Sequence, residues 1–91
     1  MKMFNISVEG HVQGVGFRYS TKKLADSIGI LGTVRNKADG SVAIEAVGSD
    51  EQLDQFINEL ENNPTPFSEV SKITFEENNT FQNFLRFEIT N

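Results

Sequence analysis

Phe4-Asn5-Ile6-Ser7-Val8-Glu9-Gly10-His11-Val12-Gln13-Gly14-Val15-Gly16-Phe17-Arg18 is the stretch that decides the fold, because its hydrophobic period changes part-way along. Phe4, Ile6 and Val8 alternate with Asn5, Ser7 and Glu9, the period of a half-buried strand ending near Glu9. Beyond the glycines, Phe17, Leu24, Ala25 and Ile28 recur at helical intervals with Ser20, Lys22, Lys23 and Asp26 between them. Gly29 then offers a C-cap, a position where a glycine takes the left-handed conformation without penalty. The stretch therefore predicts a strand, a glycine-containing turn and a helix beginning near Arg18.

The rest of the chain extends this unit in both hand and order. Leu31 to Lys37 reads as a strand, Ala38-Asp39-Gly40 as a tight hairpin connection and Ser41 to Val47 as the partner strand. Ser49-Asp50-Glu51-Gln52 caps a second helix with an apolar stripe of Leu53, Phe56, Ile57 and Leu60, and Asn62-Asn63-Pro64 stops it. Phe67 to Phe75 and Phe84 to Ile89 are two further strand candidates, the last alternating Leu85, Phe87 and Ile89 against Arg86, Glu88 and Thr90. The order βαββαβ with an additional C-terminal strand predicts an α+β, ferredoxin-like sandwich. Two helices cover one face of a mainly antiparallel sheet. The phenylalanines fall on the buried period and are expected in its core. Residues 1–91 are read as a single domain, since 91 residues support one hydrophobic core.

Composition removes several classes of chemistry. The chain has no cysteine, which excludes disulfides, thiolate metal sites and cysteine nucleophiles, and His11 is its single histidine. A metal centre would have to be built from carboxylates and one imidazole, and no close-spaced set of such ligands occurs, so no metal is expected. No signal peptide or membrane-spanning run is present in the sequence, and a cytoplasmic location is the expectation. Asn5-Ile6-Ser7 and Asn78-Asn79-Thr80 match the glycosylation pattern and, without a secretory signal, carry no weight.

Charge is unevenly spread. Between residues 10 and 37, Arg18, Lys22, Lys23, Arg35 and Lys37 face one acid, Asp26, whereas residues 38 to 91 hold Lys72 and Arg86 against eleven acids. A net charge of −5 disfavours long polyanions, while a local basic segment focuses a small anion. Nucleic acid is excluded as a partner on that ground, and the strands lack the aromatic and basic surface of RNA-stacking modules.

Within the basic segment, Gln13-Gly14-Val15-Gly16 joins strand to helix. Its glycines permit positive φ and close backbone approach, the helix start adds unpaired N–H groups, and the Arg18 guanidinium can fork onto two phosphate oxygens. Read together they describe an oxyanion cradle. The plainer reading is a glycine turn whose arginine covers a helix end. No third glycine at dinucleotide spacing and no Walker ending follow, so a nucleotide site is not indicated. A second segment, Gly32-Thr33-Val34-Arg35-Asn36-Lys37-Ala38-Asp39-Gly40-Ser41-Val42, places Asn36 at the end of the second strand. In a split βαβ topology that strand runs parallel to the first, which brings Asn36 toward the cradle. An amide at such a position also commonly serves its own turn.

Both segments together resemble the acylphosphatase family, whose pattern is Gly-x-Val-Gln-Gly-Val-x-Phe-Arg followed after a helix by Gly-x-Val-x-Asn-x-x-Asp-Gly-x-Val. The resemblance covers nearly the whole chain. It implies a ferredoxin-like enzyme that hydrolyses acyl phosphates to a carboxylate and inorganic phosphate without metal or cofactor. By the same resemblance, the backbone amides of Gln13, Gly14, Val15, Gly16, Phe17 and Arg18 surround the phosphate, Arg18 binds the phosphoryl group and Asn36 holds the attacking water. The partners implied are a small-molecule acyl phosphate and inorganic phosphate, and a free-standing monomer is the simplest expectation. Thr33 stands where the family often has an aromatic residue, Ala43 where an acid is frequent, and Thr90-Asn91 lacks a basic or aromatic tail.

The chemistry is consistent with so sparse a set of groups. There is no carboxylate pair or serine–histidine pair in the cradle region, so acid–base and covalent schemes lack their players. Phosphoryl transfer needs mainly positioning and charge stabilisation. The leaving group of an acyl phosphate is a carboxylate, whose conjugate acid has a pKa of about 4, and no general acid is needed to expel it. His11 is expected to be a surface or structural residue. Two other classes remain: a module that binds a small anion without turning it over, and an interaction domain using a sheet edge or the acidic half.

Overall fold

A computed structural model of the chain describes residues 1–62, 64–80 and 82–91. Its elements are β1 (Lys2–His11), α1 (Phe17–Ile28), β2 (Leu31–Asn36), β3 (Val42–Gly48), α2 (Asp50–Glu61), β4 (Glu69–Glu77) and β5 (Phe87–Ile89). They form one five-stranded sheet in the order β4-β1-β3-β2-β5. Three of its pairings are antiparallel and β2–β5 is parallel, the expected ferredoxin-like arrangement with an additional strand.

Register explains how one face becomes the core. Phe4, Ile6 and Val8 of β1 lie opposite Ala46, Ile44 and Val42 of β3, and Ile44 lies opposite Val34 of β2. Apart from the half-buried Phe4, these residues are buried with Phe17 and Ala25 of α1 and Leu53, Phe56, Ile57 and Leu60 of α2. Since side chains alternate across a strand, all strand members of this cluster share the face on which the helices pack. The centre of the other face carries polar residues: Thr33 donates through Oγ1 to Glu45 Oε1 at 2.9 Å.

Local chemistry sets the helix limits. Gly29 (φ 97°) closes α1 with its N–H on the Ala25 carbonyl. Ser49 and Gln52 form a reciprocal capping box on α2, and Gln52 Nε2 also donates to the Ile28 carbonyl at 3.1 Å, tying the start of one helix to the end of the other. Asn63, in the segment expected to stop α2, lies outside the described residues.

Four expectations are corrected. Strand β1 runs on to His11, past a register irregularity between Glu9 and Gly10. Strand β4 starts at Glu69 instead of Phe67, and β5 is only Phe87–Ile89, leaving Phe84 and Leu85 outside it. Nor are all the phenylalanines core: Phe67 is 74% exposed and Phe75 53% exposed. Phe75 does lie opposite Ile6, but β4 is an edge strand with little cover, and the ring stacks on Phe4 with centroids 5.4 Å apart.

Candidate active site

The glycine segment connects the exposed end of β1 to the first turn of α1. Val12 and Phe17 are buried and Val15 packs partly on the core, so the loop is pinned at three apolar points while Gly14 and Gly16 face outward. Both glycines have positive φ, 76° and 77°, and no atom stands within 4 Å of where a Cβ would be, so conformation and not space demands glycine there. Gly16 is the N-cap of α1 and brings no side chain to cap it, and the first turn carries no acid. The first N–H groups of a helix have no internal acceptors, and among the described residues no hydrogen bond engages the N–H of Gly14, Val15, Gly16, Phe17 or Arg18. The loop thus leads into an uncapped, uncompensated helix start.

Three bridges tie this loop and helix to the end of β2. Gln13 Nε2 donates to the carbonyls of Lys37 and Ser41, each at 2.8 Å, locking the loop onto the β2–β3 hairpin. Arg18 Nη1 donates to the main-chain oxygen of Asn91 and to Asn91 Oδ1, the latter at 3.1 Å. Asn36 is joined to the same residue: its N–H donates to Asn91 Oδ1 at 3.0 Å and its carbonyl accepts from Asn91 Nδ2 at 2.7 Å. One oxygen atom therefore accepts from both Arg18 and Asn36. The Asn36 side chain is half-buried, and its Oδ1 is shielded from solvent with no hydrogen-bond partner among the described residues.

The residues singled out from the sequence accordingly meet at one end of the sheet. Val15, Gly16 and Phe17 shape the loop, Arg18 and Asn36 converge, and the Gln13 side chain is turned to the hairpin. Asn91 is the participant that sequence reasoning missed as a site residue. Its only sequence signal was its place at the end of a strand whose pairing with β2 was not foreseen. His11 is exposed at the end of β1, opposite Glu69 in the β1–β4 register. Thr33 and Ala43 lie on the sheet face away from the helices, so those two departures from the family pattern sit off the site.

A hollow of the surface lies on that opposite face, among Asn5, Ser7, Thr33, Arg35, Glu45 and Thr74. It contains neither Arg18 nor Asn36, and a shallow loop suffices for a group as small as a phosphoryl. Among the described residues, no group of three or more His, Asp or Glu side chains is placed to hold a metal ion.

The family model described as acylphosphatase matches residues 4–89. The chain belongs to the acylphosphatase family. It is 52% identical over 77 residues to an acylphosphatase of Ligilactobacillus salivarius, covering 85% of this chain and 86% of that one. Against an acylphosphatase of Oceanobacillus iheyensis the identity is 44% over 89 residues, with 98% of each chain covered. The crystal structure of acylphosphatase from Bacillus subtilis superposes with a TM-score of 0.95 at 38% identity, covering 100% of both chains. Acylphosphatase membership places the chain among hydrolases of acyl phosphates. No helix among its described residues is long and apolar enough to cross a membrane.

Proposed function

We propose that residues 1–91 act as one acylphosphatase-like domain that hydrolyses acyl phosphates with the unpaired amides from Gln13 to Arg18, the Arg18 guanidinium and the Asn36 side chain. The observation that carries this reading is the convergence of Arg18 and Asn36 on one acceptor atom beside an uncapped helix start. A phosphoryl group seated on the free N–H groups of Gly14 to Arg18 meets the positive end of the α1 dipole, and the guanidinium adds charge on a second side. Charge on the three equatorial oxygens is what such a site stabilises as the loose transition state forms.

Asn36 supplies the other half. Its half-buried side-chain amide stands at the end of β2, on the residue that shares Asn91 Oδ1 with Arg18, and an amide hydrogen-bonded to a water molecule there holds the water oxygen toward phosphorus. The new bond forms between water oxygen and phosphorus, and the bond from phosphorus to the acyl oxygen breaks. The electron pair leaves on the carboxylate, and the water proton ends on phosphate or solvent. Expelling a carboxylate needs no proton donor, whereas an alkoxide leaving group does, and the site presents no acid to give it one.

The discriminating experiment compares benzoyl phosphate with an alkyl phosphate monoester at equal enzyme concentration. Rapid release of phosphate from the first and little from the second is expected. Comparable rates would overturn the leaving-group argument. Absence of turnover with retained phosphate binding would leave a small-anion-binding module.

A further inference from the structure

We propose that the open face of the sheet carries a second ligand site, for a polyhydroxylated small molecule with one anionic end, a sugar phosphate being the simplest form. The site shares no residue with the loop from Gln13 to Arg18 and does not include Asn36.

Register lays the site out. Side chains alternate across a strand, so the residues between the core positions of β1, β2, β3 and β4 point away from the helices. Ser7 of β1 lies opposite Thr74 of β4 and Ala43 of β3, and Ala43 lies opposite Arg35 of β2, which makes one row across four strands. At about 4.8 Å between strands the row is about 14 Å long. Its two middle members, Ser7 and Ala43, are small, and a hollow of about 540 Å³ opens over them, within the size range of small-molecule sites. Asn5 and Glu45, opposite each other in the adjoining row, wall one side of it.

Charge along the hollow is graded. Arg35 and Lys37 line its β2 end, both are exposed, and among the described residues neither forms an ion pair. The neighbours explain why Arg35 stays open. Ala43, directly opposite, brings no carboxylate; Glu45 engages Thr33 through Oε1; and Glu88 on β5 is held by Arg86 Nε at 2.8 Å. A guanidinium open to solvent takes two oxygens of one anion at once. Toward β4 the lining changes to the hydroxyls of Ser7 and Thr74, the Asn5 amide and the Glu45 and Glu76 carboxylates. Hydroxyl and amide groups both donate and accept, whereas carboxylates only accept. A run of ligand hydroxyls satisfies that set. A second anionic end would instead meet two carboxylates and be repelled.

The test follows backbone amide shifts of the 15N-labelled full chain as glucose 6-phosphate is added, in buffer already holding enough inorganic phosphate to fill the loop from Gly14 to Arg18. Shifts are expected at Ser7, Ala43, Arg35 and Thr74. Gluconate distinguishes a carboxylate end from a phosphate end, and binding of either with its hydroxyls fits the proposal, whereas neutral glucose should leave these amides unmoved. Arg35→Ala should weaken binding about tenfold or more, since it removes the charge-assisted fork. Ala43→Glu, which puts a carboxylate on the floor opposite Arg35, should abolish it, with circular dichroism unchanged in both variants. Should Ala43→Glu lose its fold, Arg35→Ala, at an exposed position, decides alone. No shift at the four amides from either compound at millimolar concentrations would overturn the proposal, as would binding that persists undiminished in Arg35→Ala. Displacement of glucose 6-phosphate by equal inorganic phosphate would overturn it too, because the hydroxyls would then contribute nothing.

Discussion

At the residue scale, the proposed site uses few polar groups, and the surroundings of each fix its position. Arg18 is the clearest instance: a planar fork anchored at one end offers two parallel bonds that a lysine cannot reproduce. Arg18→Lys is therefore expected to retain the fold and charge but to raise the inhibition constant of inorganic phosphate by at least tenfold, read from competition against benzoyl phosphate. Unchanged inhibition would remove Arg18 from phosphate binding. That Arg18, Asn36 and the glycine loop come together was legible in the sequence because their residue types and spacing fit the family pattern. Asn91 was not legible, since an asparagine after a short strand has no pattern of its own and its partners arise only from the β2–β5 offset. The Gln13 side chain was likewise hidden, because its bonds to Lys37 and Ser41 span 24 and 28 residues.

At the scale of elements, the β2–β3 hairpin is the support for Asn36. Asp39 Oδ1 accepts from Ser41 N–H at 2.9 Å and from Ser41 Oγ at 2.6 Å, and these bonds hold the Asp39 carboxyl below its ordinary value of 3.8. A depressed folded-state value means that the carboxylate contributes stability above its unfolded pKa and loses it as the pH falls through the folded one. The hairpin should accordingly be at full strength above about pH 5 and loosen only at more acid pH than an ordinary aspartate would require. Amide exchange at Ser41 measured between pH 6 and the acid limit of folding checks this. Asp39→Asn should abolish that acid step, and a step that persists in the variant would assign it elsewhere. Helices, the hairpin and strand β1 were readable because period, caps and an Asp-Gly turn agree with one another. Strands β4 and β5 were readable in existence and not in extent: Phe67, Phe75 and Leu85 have strand-like character, yet they sit at or beyond an edge where no helix covers them.

At the scale of the whole molecule, the core and the site share one support. Phe56 of α2 and Phe87 of β5 are both fully buried, in edge-on contact with centroids 6.1 Å apart, and Phe87 lies four residues before Asn91. Phe56→Ala should cost about 3–5 kcal/mol, a large share of the 5–15 kcal/mol that holds a small domain together. The thermal midpoint should fall by more than about 10 °C, as scanned by circular dichroism. A shift of only a degree or two would show that the space is refilled. The helix-covered face followed from the alternation of Phe4, Ile6 and Val8 with polar residues, and the mainly antiparallel sheet from the order of the elements. The parallel docking of a three-residue β5 did not, because so short a strand takes its register from packing and not from its own sequence.

The central claim is that positioning by Arg18, the loop amides and Asn36 is sufficient for acyl phosphate hydrolysis. The most direct measurement is the turnover of benzoyl phosphate by wild type and Asn36→Ala, each with and without a strong chelator, alongside inhibition by inorganic phosphate. The account predicts wild-type turnover indifferent to chelator, a loss in Asn36→Ala on the order of 10²- to 10³-fold, and phosphate inhibition preserved in the variant. Turnover abolished by chelator, or an Asn36→Ala variant as active as wild type, would contradict it.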